Sequence, residues 1–243
     1  MTIRVGVTGA AGRMGSTVCA AIEVSDDLEL VSRVDVDDDL SELEQAGAHV
    51  VVDFTSPAAV KGNVRFCLDK GIHVVVGTTG LEKADLEEIE GWTGPANAFV
   101  APNFAVGAVL MMRFAREAAP FFSGAEIVER HHTAKLDAPS GTALRTAELM
   151  NEQRPEPWPV PDGDAKGHPA SRGLDVAGIR VHSLRVAGSV AHQEVILGSP
   201  GETLVIRHDS LDRRSFMPGV LRAVRAVAGM PGLTVGLERL LEA

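Results

Sequence analysis

The run "IRVGVTGAAGRMGSTVCAAIE", Ile3 to Glu23, decides how this chain begins to fold. Ile3, Val5 and Val7 form a short apolar stretch that reads as a strand. Gly9-Ala10-Ala11-Gly12-Arg13-Met14-Gly15 breaks it, and "STVCAAIEVS" then has the composition and length of a helix. Glycines let a backbone turn tightly and come close to a pyrophosphate, while a helix N-terminus offers N–H donors and a positive dipole end. The spacing is G-x-x-G-x-x-G, with Ala10 where the common G-x-G-x-x-G form has its first glycine. A second apolar run, "LELVSRVD", ends on Asp35, twenty residues beyond Gly15, where a carboxylate can accept from adenosine ribose hydroxyls.

Further along, "HVVVDFTSP", "IHVVVGTTG" and "AFVAPNFAV" read as strands, separated by stretches that read as helices. Such alternation predicts a parallel sheet covered on both faces, a Rossmann-like α/β domain. Gly77-Thr78-Thr79 and Ala101-Pro102-Asn103-Phe104 follow the fourth and fifth strands, at the carboxyl edge where such sheets bind ligands. Either loop alone reads as an ordinary strand-to-helix turn. Together with the glycine turn and Asp35 they argue against a fold that binds nothing. Asp35 repels a 2′-phosphate and Val36 offers no arginine to neutralise one, so NADH is favoured. Arg33 and Arg13 are near enough in sequence to leave NADPH open.

Composition bounds the rest. The chain has 243 residues, 45% hydrophobic and 23% charged, enough for one or two globular domains. No apolar run reaches the roughly 20 residues that span a bilayer, and "MTIRVGVTG" lacks the basic start and long apolar core of a signal peptide. Cys19 and Cys67 fall in helical segments and are too few for a disulfide framework, so a reducing cytoplasm is expected. A formal net charge of −10 disfavours a broad nucleic-acid surface, and no nucleic-acid partner is expected. An anionic ligand would need a focused basic site.

That site is sought in "ERHHTAKLDAPSGTA", Glu129 to Ala143. "AEIVERHH" reads as a strand, and "TALRTAELMNEQ" as a helix ending before Pro155. His131 and Lys135, four apart, share a side in either an extended or a helical backbone. Ser140-Gly141-Thr142 follow Pro139 at a helix N-terminus with N–H groups that the helix leaves unsatisfied. Dipole, amides and hydroxyls at one end, imidazole and ammonium at the other, suit a small dicarboxylate. The alternatives are a capping segment, surface histidines, or a metal site, and an H-H pair without nearby cysteine lacks ligand spacing for metal. Residues 155–173, rich in proline and glycine, read as a surface loop. "GIRVHSLRVAG" and "AHQEVILGSPGETLVIRHDS" read as strands of a mostly antiparallel sheet, the latter a hairpin. "RRSFMPGVLRAVRAVAGM" reads as a helix returning to the first domain. The expected domains are 1–105, completed by 216–243, and 106–215. His49, His73, His168, His182, His192 and His208 receive no role.

"VGVTGAAGRMG", "VVDFTSP", "VVVGTTGL", "APNFAVG" and above all "ERHHTAKLDAPSGTA" resemble the 4-hydroxy-tetrahydrodipicolinate reductase family, formerly dihydrodipicolinate reductase. "HSLRVAGSVAHQEVILGSPGETLVIRHDS" and "RRSFMPGVLRAV" extend the likeness over nearly the whole chain. The resemblance implies a nicotinamide-linked step of the diaminopimelate route to lysine. The substrate would be (2S,4S)-4-hydroxy-2,3,4,5-tetrahydrodipicolinate, the reductant NADH or NADPH, the products tetrahydrodipicolinate and water. It also implies a Rossmann domain plus a smaller α+β mixed-sheet domain that binds substrate and builds a homotetramer, with hinges near Ala105–Gly107 and Phe216. Gly9, Ala10, Ala11, Gly12, Arg13 and Met14 match the dinucleotide loop and Asp35 the ribose acid, while Gly77 to Thr79 and Ala101 to Phe104 match further cofactor loops. His131 matches the family's proton donor and acceptor, Lys135 its proton donor, and His132 a substrate contact. Gly141 and Thr142 match the carboxylate-binding pair. Where members often show H-H-x-H-K, this chain has Ala134. A dinucleotide sensor without catalysis, or a reductase of another small imine or oxo acid, are the competing readings.

Overall fold

The computed structural model describes residues 2–159 and 169–241, which form two compact units, Met1–Val106 with Arg213–Ala243, and Gly107–Asp212. His168 and the middle of the loop read over 155–173 lie outside the described residues.

The first unit holds β1 (Ile3–Thr8), α1 (Arg13–Glu23), β2 (Leu28–Val34), α2 (Ser41–Gln45), β3 (Val50–Asp53), α3 (Pro57–Asp69), β4 (His73–Val76), α4 (Lys83–Trp92) and β5 (Ala98–Val100). Its strands pair in parallel in the order β2-β1-β3-β4-β5, and the order reverses beside β1, as in doubly wound sheets. β3 and β5 are buried along their whole length, which is why Val50–Val52 and Ala98–Val100 are unbroken apolar runs. α1 buries Gly15, Val18, Cys19 and Ile22, the i, i+3, i+4, i+7 stripe of a helix packed on a sheet. α3 starts with Pro57 in its first turn, where a missing N–H costs nothing, and buries Val60, Val64, Cys67 and Leu68. Burial pushes the Cys67 thiol up to about 12, so it is an inert core residue as its helical setting suggested.

α5 (Val106–Ala118) leads into the second unit. Here β6 (Gly124–His131), α6 (Gly141–Gln153), β7 (Leu174–Val176), β8 (Ile179–Arg185), β9 (Ala191–Ser199) and β10 (Glu202–Ser210) form one sheet in the order β10-β9-β6-β8-β7 with α6 on it. β6 pairs parallel to β8 and antiparallel to β9, so the sheet is mixed. α6 sets Ala143, Ala147 and Met150 against Ile127, Ile179, Val181, Val195 and Leu197. The fold class expected from the sequence, a parallel-sheet domain plus a smaller mixed-sheet one, is the one observed.

Three local readings need correction. Residues 155–173 are not merely a surface loop: Trp158 is buried in the second core with the Arg154 guanidinium 4.0 Å from its ring centre, and Pro169–Arg172 make a 3-10 turn. Apolar area this large outweighs the local proline signal. The helix read over "RRSFMPGVLRAVRAVAGM" is α7 (Met217–Ala226) flanked by 3-10 turns at Arg213–Phe216 and Val227–Gly229. After it, β11 (Leu233–Val235) pairs in parallel with β5 and gives the first sheet a sixth strand that the sequence reading lacks.

Candidate active site

In the first unit the carboxyl ends of the strands frame a cleft of about 520 Å³ lined by Thr8, Gly9, Gly12, Val34, Asp35, Val36, Asp38, Phe54, Thr55 and Asn63 among others. Gly9 has φ +71°, and a Cβ on it would meet the Phe54 carbonyl at 2.4 Å, so only glycine closes this turn. Gly9 and Ala10 donate their N–H groups to the Val34 carbonyl, Gly12 donates to that of Gly9, and Gly12 opens α1 without a capping side chain. Arg13 and Met14 are the first residues of α1. Asp35 accepts at 2.8 Å from the Ala11 N–H, and the amides of Val36 and Ala11 hold its carboxyl below the usual range. Bare backbone, a helix start and an ionised acid at the second strand's end fit a dinucleotide, and Gly12 lines the cleft, with an added Cβ there 3.1 Å from the Gly9 carbonyl oxygen.

The cofactor loops divide. Ala101 donates to the Val76 carbonyl, Pro102 is exposed, and Phe104 is buried with its ring 6.2 Å from those of Phe54 and Phe99. The Asn103 side-chain oxygen accepts the Ala105 N–H at 2.8 Å. Gly77 donates to the Asp53 carbonyl and Thr79 is exposed. Thr78 is buried, and its hydroxyl bonds the Asp53 carboxylate at 2.5 Å. Asp53 is the residue that sequence reasoning missed here. Fully buried at the end of β3, it accepts from the Thr8, Thr55 and Thr78 hydroxyls, the Thr55 N–H and the Asn63 amide. The signal was present in "VVDFTSP": a carboxylate ending a valine run, followed by a hydroxyl.

In the second unit β6 stops at His131. A turn closed by the Lys135 N–H on the His132 carbonyl follows, so neither the extended nor the helical pattern assumed for His131 and Lys135 applies. Lys135 Nζ reaches both Asp137 carboxylate oxygens, at 2.9 and 2.8 Å, and this contact lowers the Asp137 carboxyl's pKa. His132 is half-buried. Ser140 is the N-cap of α6, its hydroxyl accepting the Ala143 N–H, Gly141 is exposed, and Thr142 is half-buried.

His131 Nδ1 lies 2.5 Å from Glu129 Oε2. Glu129 is completely buried, at the position where β6 alternation after Ile127 calls for a core residue. Burial alone would raise its carboxyl's pKa. Bonds from His131, Arg185 and Ser183 overcome that and bring it to about 2, so it stays an anion. Arg185 grips both its oxygens at 3.0 Å. Because an ionised carboxylate only accepts, the His131 Nδ1 carries the hydrogen and Nε2 is the nitrogen left for a ligand. Glu129 and Arg185 escaped the sequence reading although both sit in the quoted stretches. An acid and a cation on neighbouring strands show no pairing until the register is known.

Two family descriptions divide the chain between them, "Dihydrodipicolinate reductase, N-terminus" over residues 3–104 and "Dihydrodipicolinate reductase, C-terminus" over 107–241. Relatives named 4-hydroxy-tetrahydrodipicolinate reductase are 54% identical in Nocardia farcinica, over 100% of both chains, and 54% identical in Mycolicibacterium smegmatis, over 99% of both. A solved dipicolinate-bound dihydrodipicolinate reductase from Paenisporosarcina sp. TG-14 superposes with a TM-score of 0.86 at 36% identity, covering 98% of this chain and 99% of that one. With glycine turn, acidic strand end and the His-His-Lys loop all in place in matching halves, the chain belongs to the dihydrodipicolinate reductase family.

Proposed function

We propose that the chain reduces (2S,4S)-4-hydroxy-2,3,4,5-tetrahydrodipicolinate to tetrahydrodipicolinate and water at the expense of NAD(P)H, in lysine biosynthesis through diaminopimelate. The observation carrying this is the segment from His131 to Thr142, where an imidazole fixed by an ionised carboxylate, a lysine and a helix N-terminus follow within one loop. Two carboxylates on a small ring match that set: Ser140, Gly141 and Thr142 offer the amide end of α6, and His132 a further contact. Bound nicotinamide supplies hydride. Loss of the C4 hydroxyl as water gives the conjugated imine, whose reduction leaves a basic nitrogen or carbon, and His131 with Lys135 supplies the proton. The cofactor is held by Gly9 to Met14, by Asp35, and by the loops Gly77–Thr79 and Ala101–Phe104.

NADH is the preferred reductant, because Asp35 is ionised where a 2′-phosphate would lie and Val36 brings no counter-charge. Copies of the chain associate as a homotetramer. The edge strand β10, on which Leu204 and Val205 are exposed, supports association. The two buried, unpaired thiols suit a cytoplasmic setting.

The test is loss of NADH absorbance with substrate made in place from pyruvate and aspartate semialdehyde by the preceding synthase. Folded, cofactor-binding protein that consumes no NADH would refute the assignment. Lys135→Ala is expected to lower turnover by about 10²–10⁴-fold while NADH affinity is unchanged. Equal losses in both would move Lys135 out of the chemistry. A higher kcat/KM with NADPH would overturn the Asp35 argument.

A further inference from the structure

An isolated carboxylate buried at the core-facing phase of a strand costs several kcal/mol, and a well-packed hydrophobe commonly replaces such a group without loss. Glu129 occupies such a position. What distinguishes it is where its bonds go. Oε2 meets His131 Nδ1 at 2.5 Å and Arg185 Nη1 at 3.0 Å, and Oε1 accepts from Arg185 Nη2 at 3.0 Å and the Ser140 N–H at 3.2 Å. Arg185 reaches onward with Nε to the Lys135 carbonyl at 3.1 Å and with Nη2 to the Asp137 carbonyl at 2.5 Å. The register explains the convergence, since β8 sets Ser183 opposite Glu129 and Arg185 opposite His131, while β9 sets Gln193 on the other side. Gln193 donates to the Thr146 hydroxyl of α6.

Three parts of the candidate site therefore meet at one anion, the imidazole, the Arg185 guanidinium and the N-cap of α6, and Arg185 links the loop bearing Lys135 to the same point. We propose that Glu129 is the positioning residue of the reduction, fixing His131 as the Nδ1–H tautomer so that Nε2 alone exchanges the proton, and tying the Lys135 loop and the α6 amide end to the same point through Arg185 and Ser140. The inference rests on His131 acting as a proton-exchanging group. Its geometric part, the tautomer, stands without any turnover. When the ring takes up a proton the Glu129 charge lies against it, and Arg185 keeps that carboxylate from becoming the acceptor of the proton.

A glutamine at this position keeps the volume but changes the logic. Its amide can donate to Nδ1, which would place the ring hydrogen on Nε2 and remove the lone pair from that nitrogen. The experiment uses the full chain labelled with ¹⁵N histidine, at a pH high enough to leave the ring neutral, with the His131 signals assigned by their loss in His131→Asn. Wild type is expected to show hydrogen on Nδ1 and a lone pair on Nε2. Glu129→Gln is expected to shift the ring toward the Nε2–H form and to lower kcat about 10²-fold or more, with KM for NADH unchanged. Glu129→Asp, which keeps the acceptor at a shorter reach, is expected to restore the tautomer and part of kcat.

A wild-type ring with hydrogen on Nε2 overturns the proposal, and so does a folded Glu129→Gln protein with wild-type kcat. A variant whose kcat and NADH binding fall together with an unchanged tautomer marks Glu129 as scaffold only, which also overturns it. Should Glu129→Gln fail to fold, the wild-type tautomer decides alone. Should the wild type fail to reduce the imine, the assigned reaction is lost, while the tautomer still decides whether Glu129 orients His131.

Discussion

A methyl group added to Gly15 would lie 2.0 Å from the Gly9 carbonyl oxygen and 2.9 Å from the Ala10 Cα, both backbone atoms that cannot step aside. Gly15→Ala should therefore prise α1 from the turn before it, costing about 1–3 kcal/mol by thermal unfolding and weakening NADH binding. Gly62, in the middle of α3 with nothing within 4 Å of an added Cβ, is the control, and Gly62→Ala should gain about 0.5–1 kcal/mol. A denaturation series in which both substitutions cost alike would show that the close approach is not what glycine serves at position 15. Glu129 gives a second prediction at this scale. Its carboxyl pKa falls from the usual 4.5 to about 2 on folding, so the stability it brings is complete above pH 4.5 and drains away as pH drops toward 2. The loss should be on the order of 3 kcal/mol, read from urea midpoints, and absent from Glu129→Gln. Stability flat across that window would contradict the depressed value. Gly15 was legible in the sequence because spacing alone names it. Glu129 was not, since its importance comes from the buried phase of β6 and from strands far along the chain.

At the scale of elements, the ends of β1, β3 and β4 are held together by Asp53, which accepts bonds from Thr8, Thr55, Thr78 and Asn63. Asp53→Asn turns part of that acceptor into a donor facing donors. It should destabilise the chain by about 2–3 kcal/mol and loosen the glycine loop, measured as a lower unfolding temperature and a weaker NADH Kd. Unchanged cofactor affinity in a destabilised variant would confine Asp53 to the fold. Most elements were readable from apolar periodicity: α1, α3 and α6 carry clean helical stripes, and β3 and β5 are unbroken runs. β11 was not, because Leu233–Val235 is three residues long after a proline and a glycine, and only its pairing with β5 makes it a strand. Trp158 likewise hides in a proline-rich stretch whose local signal is loop.

For the whole molecule, a net charge of −10 coexists with a local gathering of basic side chains: Lys135 and Arg185, each paired with a carboxylate, lie in or against one loop with His131 and His132. Association is the other question at this scale. Leu204 and Val205 are 38% and 50% exposed on β10, the outermost strand of its sheet, and an edge of this kind is an open pairing surface. Val205→Glu should shift the sedimenting species from a tetramer to smaller forms. A wild-type chain that sediments as a monomer would end the tetramer reading. The charge balance was visible in the composition, whereas the edge strand's exposure depends on which strand stands last in the sheet, a matter of topology.

The first sheet is finished by a segment from the far end of the polypeptide. Asn97 bonds the carbonyls of Val227 and Ala228 and accepts from the Gly232 N–H, and β11 then closes the edge beside β5. Five of the six strands lie within residues 3–100, and the sixth, β11, comes only after the whole second unit. A chain cut before Arg213 would carry an open seam along Ala98–Val100 while keeping every residue that lines the glycine-turn cleft, so the sheet edge and the cleft are separable.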